Sequence, residues 1–186
     1  MPRTARNAPG GACYHVINRS NGRVGLFCSD EDYRYIVHAL QRTQERQRLE
    51  LFAACLMPNH VHLVARPQSN RDLARWMQRL LTTHVRWHHG RRGSSGCLWQ
   101  GWFKAFPIAA DRHLITVLRY VERNALRARL VTKAEQWPWG SLHWRQTGNY
   151  RSLLSPLPVR APPSGTGSIS STSRSRTRNS SHCAPV

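Results

Sequence analysis

Residues 49–66 read LELFAACLMPNHVHLVAR. Two apolar runs of strand length flank a Met57-Pro58-Asn59 break. Proline before asparagine favours a turn or bulge, so Leu49–Leu56 is predicted as one strand and His60–Arg66 resumes as a strand after it. Side chains two apart on a strand point to one face. His60 and His62 therefore stand side by side, with Val61 in the opposite packing layer.

Outward from this stretch, periodicity supplies the other elements. Cys13–Asn18 reads as a first strand and Ser20–Gly25 as a loop. Ser29 or Asp30 caps a helix to about Arg48, with Tyr33, Ile36, Val37 and Leu40 as its apolar stripe. Asn70 is the expected cap of a second helix to about His89, with Leu73, Trp76, Met77, Leu80 and Leu81 inward. Gly90–Gly96 reads as a basic loop, and Trp99–Ile108 holds a further short strand or two. Asp111 or its neighbour caps a last helix through about Arg127. The order strand–helix–strand–strand–helix–strand–helix predicts an α+β fold, an antiparallel sheet with helices packed on it, of the ferredoxin-like plait type. Residues 1–150 form the expected domain. Residues 151–186 are rich in Pro, Ser and Arg, too poor in apolar residues to bury themselves, and expected to be a disordered basic tail.

The chain has 186 residues, with 28 Lys+Arg against 9 Asp+Glu and a formal net charge of +19. Arginine supplies most of that excess, and a polyanionic partner, nucleic acid before membrane, is its simplest explanation. No apolar run approaches a membrane span, and no apolar leader opens the chain. The five cysteines are odd in number and lack CxxC spacing, which argues against a disulfide framework or cysteine zinc site. A reducing, cytoplasmic setting is expected.

Alone, His-x-His reads more readily as two solvated sheet histidines than as a metal pair. The segment Leu118–Ala128 adds a second pattern. At about 100° per residue, Leu114, Leu118, Val121 and Ala125 form a buried stripe. Tyr120 and Asn124 lie one turn apart on its flank, and Arg119, Arg123 and Arg127 form a basic row. Together the pieces fit one reaction. A tyrosine phenol can form a covalent phosphate link. Two neutral imidazoles can share a divalent metal that polarises the scissile phosphate, with the Asn124 amide oxygen completing its shell. The basic row would hold phosphates.

The segments Tyr14-His15-Val16, Leu56–Leu63, Trp99–Lys104 and Arg119–Val131, with Trp137-Pro138-Trp139-Gly140-Ser141, resemble the REP-associated tyrosine transposases of the single-tyrosine HUH superfamily. The likeness runs in order from about Gly10 to Ser141. It implies a ferredoxin-like HUH nuclease domain in which His60 and His62 bind Mg²⁺ or Mn²⁺ and Asn124 is the third ligand. Tyr120 would attack single-stranded DNA to leave a 5′-phosphotyrosine and a free 3′-OH. The substrates would be hairpin-forming repeats between genes. Arg19, in Arg19-Ser20-Asn21, and Lys104, in Gln-Gly-x-x-Lys, become DNA contacts.

Two positions depart from the family pattern. Ala125 replaces a proline, which could lengthen the helix, and Arg129 replaces a glycine that could serve as a helix C-cap. Rival readings are a cleavage-silent hairpin-binding protein and a hydrolase in which water attacks and Tyr120 only orients substrate. Either a monomer or a homodimer is compatible with the sequence. Tyr14, Tyr33, Tyr35 and Tyr150 are alternative nucleophiles, Trp99 and Trp102 candidate base-stacking rings, and His88 and His89 candidate phosphate contacts. The nearest acids to Tyr120 in sequence, Glu122 and Asp111, have no assigned role.

Overall fold

A computed structural model describes residues 8–109 and 111–158. The expected tail from residue 159 onward, and the cap expected at residues 110 and 111, lie outside the described residues or side chains. Four strands, β1 (Cys13–Arg19), β2 (Glu50–Met57), β3 (His60–Arg66) and β4 (Lys104–Ile108), make one antiparallel sheet in the order β2-β3-β1-β4. Helices α1 (Asp30–Arg46) and α2 (Asp72–Arg92) supply the two crossovers. They are followed by α3 (Asp111–Glu122), α4 (Asn124–Arg127) and α5 (Ser141–Thr147). This is the split βαβ plait that the element order predicted, with an added helical layer.

The hairpin turn is two residues long, since Met57 pairs with His60. Its backbone is pinned from outside. Pro58 O accepts from Leu26 N at 2.7 Å, and Asn59 O from Ser20 N at 2.8 Å. Strands β2 and β3 read as nearly continuous apolar runs because both their faces are covered. Val16, Leu56, Val61, Leu63 and Ala65 pack against Ile36, Leu40, Trp76 and Met77 of α1 and α2. On the other face Ala53, Cys55, Met57 and Val64 meet Leu114, Leu118 and Val121 of α3. A bulge between Leu51 and Ala53 lets Phe52 join this second face.

Several boundaries differ from expectation for local reasons. Ser29 caps α1 in a reciprocal box with Asp32. Asn70 does not cap α2. Its Oδ1 accepts from Gly10 N at 3.0 Å, while Asp72 Oδ2 accepts from Ser69 N at 2.7 Å and Arg71 takes the N-cap position at φ 71°. Helix α2 runs past Gly90 to Arg92 and stops at Gly93, φ 59°. The last helix is interrupted at Arg123 (φ −94°, ψ 5°), so Ala125 does not extend an unbroken α3. Arg129 adopts φ 59° itself, and Leu130 N donates to Ala125 O at 3.0 Å, which keeps the turn that a glycine would favour. The fold also continues beyond residue 150: Leu153 is buried, and Ser155 N donates to Leu51 O at 2.8 Å. Cys13, Cys55 and Cys97 are free thiols.

Candidate active site

Sheet register builds the site. Ile17 pairs with both His62 and Lys104, Arg19 with His60, and His15 with Val64 and Phe106. Paired residues share a face, so His15, Arg19, His60, His62, Lys104 and Phe106 all lie on the side that α3 partly covers. Helix α3 buries Leu114, Leu118 and Val121 against β2 and β3 and leaves Tyr120 at its edge, 39% exposed.

The rings converge. His60 and His62 are 4.8 Å apart between centroids, nearly perpendicular. The His15 and His62 rings lie within 17° of parallel with centroids 5.2 Å apart, edge to edge, so that His15 Nε2 and His62 Nδ1 are 3.0 Å apart. The Tyr120 ring meets both edge-on, at 5.8 Å from His15 and 5.9 Å from His62. Arg127 lays its guanidinium over the Tyr120 ring at 5.1 Å. His15 was missed by the sequence reading, in which it is one residue of a strand motif. Only the pairing of β1 with β3, 47 residues apart, reveals its position.

Burial keeps the histidines neutral. Desolvation is the largest cause in each case, and it brings His60 down to about 4, with Arg19 adding to it. His62 falls to about 3, helped by His60, His15 and Arg19. His15 is also lowered by burial. Neutral imidazole is the metal-binding form. His60 Nδ1 is held by Asn59 Oδ1 at 2.6 Å and His62 Nδ1 by His15, so each ring has its Nε2 uncommitted to those bonds. That donor set fits a divalent ion. Among the described residues no group of three or more His, Cys, Asp or Glu is arranged for a metal, so a further protein ligand would have to be of another type. Asn124 is such a residue. Its amide NH₂ caps α3, donating to Tyr120 O at 3.0 Å and Val121 O at 3.4 Å, which leaves Oδ1 as its acceptor end.

Other expected residues separate. Arg19 is half-buried beside the histidines, and Lys104, Arg119, Arg123 and Arg127 are exposed. Glu122 is turned away from the histidines: its Oε1 lies 2.6 Å from Arg145 Nη1 and accepts from Ser141 Oγ at 3.3 Å. Desolvation raises its pKa, against the pull of Arg145 and Ser141. Tyr14 and Tyr33 are buried packing residues, Tyr33 stacking on Trp139 at 5.0 Å. Tyr35 stacks on Trp87 at 3.9 Å, and Tyr150 packs against Trp144. Trp99 is buried against Phe27 and His84, which corrects its reading as a stacking platform, while Trp102 is 61% exposed. His88 is buried, and His89 holds the following loop through Ser94 and Gly96. Trp137–Ser141 closes the β2 edge, with Leu56 N donating to Trp139 O at 2.9 Å and Trp137 Nε1 to Leu56 O at 3.0 Å.

The family model for IS200-like transposases matches residues 11–124, which spans β1 through Asn124. A Haemophilus influenzae protein assigned as a REP-associated tyrosine transposase is 28% identical over 116 residues, covering 56% of this chain and 65% of that protein's own length. The solved structure of a REP-associated tyrosine transposase bound to a REP hairpin superposes with TM-score 0.66 at 18% identity, over 91% of this chain and 100% of that one. That likeness establishes a shared fold. A chain from Deinococcus radiodurans assigned as a transposase aligns with TM-score 0.43 at 19% identity, over 66% of this chain and 95% of that one.

Proposed function

Because the chain belongs to the IS200-like transposase family, we propose that it is a single-tyrosine HUH enzyme that nicks and rejoins single-stranded, hairpin-forming DNA. Tyr120 is the nucleophile, and His60, His62 and Asn124 would hold Mg²⁺ or Mn²⁺. The observation that carries the reading is the edge-on approach of the half-exposed Tyr120 ring to His15 and His62, on a sheet face shared with His60. The Tyr120 oxygen attacks phosphorus and the P–O3′ bond breaks. The departing 3′ oxygen takes up a proton as the phenol gives one up, leaving a 5′-phosphotyrosine and a 3′-OH. Attack by a 3′-OH reverses the step. A bound divalent ion would supply polarisation of the scissile phosphate. Arg127 holds the tyrosine ring, and Arg19, Lys104, Arg119 and Arg123 offer cations to the phosphate backbone of a hairpin like the one bound to the solved relative.

The test is incubation of the full chain with labelled single-stranded hairpin repeats, with Mn²⁺ or EDTA, read on a denaturing gel. A covalent protein–DNA band that needs Mn²⁺ and disappears in Tyr120→Phe is the expected result. Free 5′-phosphate product with no covalent band would indicate attack by water. A native-gel shift without cleavage would leave a hairpin-binding protein.

A further inference from the structure

For a histidine to bind a metal through Nε2, its single neutral-form proton must sit on Nδ1. Which nitrogen carries it is decided by what the other one touches. His60 is settled by a chain of two contacts. Asn59 Nδ2 donates to Arg23 O at 3.0 Å, which fixes the amide with its oxygen toward His60. That oxygen, 2.6 Å from His60 Nδ1, can only accept. His60 therefore carries its proton on Nδ1 and presents a bare Nε2.

His62 has no amide or carboxylate in that place. Its Nδ1 faces His15 Nε2 at 3.0 Å, and either nitrogen can be the donor. If His15 donates, neutral His62 is left with its proton on Nε2 and no lone pair for a metal. If His15 accepts, Nε2 of His62 is bare and matches that of His60. His15 lies on the same face through the β1–β3 register, its ring within 17° of parallel to that of His62 and edge to edge with it. It is not arranged as a ligand, since the described residues hold no metal-ready group of three. We infer that His15 is a positioning residue that accepts the His62 Nδ1–H bond, and so presents His62 Nε2 to the metal as Asn59 does for His60. This rests on the reading of His60 and His62 as the metal pair.

The experiment uses the full chain with ¹⁵N-labelled histidine and no added metal. Two-bond ¹H–¹⁵N correlation spectra assign each tautomer. The expected result is a protonated Nδ1 on both His60 and His62. His15→Phe keeps an aromatic ring but removes the acceptor, so His62 should shift toward the Nε2–H form. His15→Gln, whose amide oxygen can accept, should retain Nδ1–H. Mn²⁺ titration should then show about 10-fold or greater weakening in His15→Phe and a smaller loss in His15→Gln. A wild-type His62 with its proton on Nε2 overturns the inference, as does an unchanged His62 tautomer in folded His15→Phe. If His15→Phe does not fold, the wild-type and His15→Gln spectra still decide. Wild-type protein that shows the expected tautomers yet binds no Mn²⁺ supports the His15 assignment and refutes the metal reading beneath it.

Discussion

Helix α3 carries Tyr120, and its C-terminal end is tied down by an ion pair. Glu122 Oε1 lies 2.6 Å from Arg145 Nη1, and Arg145 Nη2 also donates to Phe52 O. The two side chains are only 18% and 21% exposed. Burial raises the Glu122 pKa and lowers that of Arg145 despite their attraction, so desolvation outweighs the pairing on both sides. Such a pair adds little net stability but is costly to break. Removing one member of a fully buried pair costs about 3–5 kcal/mol, and the residual exposure here reduces this to about 2–3 kcal/mol. Glu122→Leu, which strands Arg145, should lose that much, a Tm drop of roughly 4–12 °C for a domain of this size. Arg145→Met differs, because its stranded carboxyl can protonate. The folded-state pKa of Glu122, already above the ordinary 4.5, would rise further. The native state then binds more protons than the unfolded chain, so stability falls as pH rises, by about 1.4 kcal/mol per unit within the window between the two pKa values. The loss in Arg145→Met should be small at pH 5 and larger at pH 7.5. The double variant Glu122→Leu/Arg145→Met should recover most of the stability. Urea unfolding of the four proteins, followed by tryptophan fluorescence, gives the cycle. Additive single losses, or a pH-independent loss in Arg145→Met, would refute the reasoning.

Three other outcomes follow from the structure. Arg129→Gly should stabilise the chain by about 0.5–1 kcal/mol, because Arg129 holds φ 59° at a helix end where glycine bears no Cβ penalty; a loss in urea midpoint would show that its side chain matters more than its backbone. His84 is fully buried, its ring nitrogens have no hydrogen-bond partner among the described residues, and burial brings its pKa down to about 3. Its contribution is intact above the unfolded value of 6.5 and is lost as pH falls, about 2 kcal/mol by pH 5, so His84→Leu should make stability less acid-sensitive between pH 7 and 5; an unchanged difference counts against it. Tyr120→Phe should leave the urea midpoint within about 0.5 kcal/mol of wild type, as expected for a half-exposed surface position. A large loss there would make the hydroxyl structural.

What the sequence disclosed depended on the distance over which each signal acts. The strand break at Pro58-Asn59, the alternation of His60 and His62, and the one-turn spacing of Tyr120 and Asn124 are signals within a few residues, and all are present in the structure. His15 could not be read that way, because its meeting with His62 depends on strand register across 47 residues. The Glu122–Arg145 tie likewise joins residues 23 apart through a helix that periodicity did not mark. Asn70 looked like a cap because its type and place were right. Asp72 supplied the closing carboxylate, and Asn70 was taken by Gly10. Gly90 suggested a helix end, yet the stop came at Gly93, the first glycine there with the left-handed backbone that ends a helix.

The division of charge within the site follows from the same burial. The face carries positive charge on Arg19, Lys104 and Arg127, while His60 and His62 are held neutral below pH 6 by desolvation and by Arg19 itself. Were the histidines to titrate near neutrality, a fraction would be charged at working pH and could neither bind a metal nor accept a hydrogen bond at the protonated nitrogen. Cations on the arginines and lysine, and lone pairs on imidazoles that burial keeps neutral, would divide the proposed phosphate attraction from the proposed ligation. Tyr120 joins the two sets: its ring lies under Arg127 on one side and edge-on to His15 and His62 on the other, and its carbonyl is tied to the Asn124 amide. A shift of α3 would therefore move the proposed nucleophile and the proposed third ligand together, so the Glu122 anchor, two residues from each, stabilises the relation between both and the sheet.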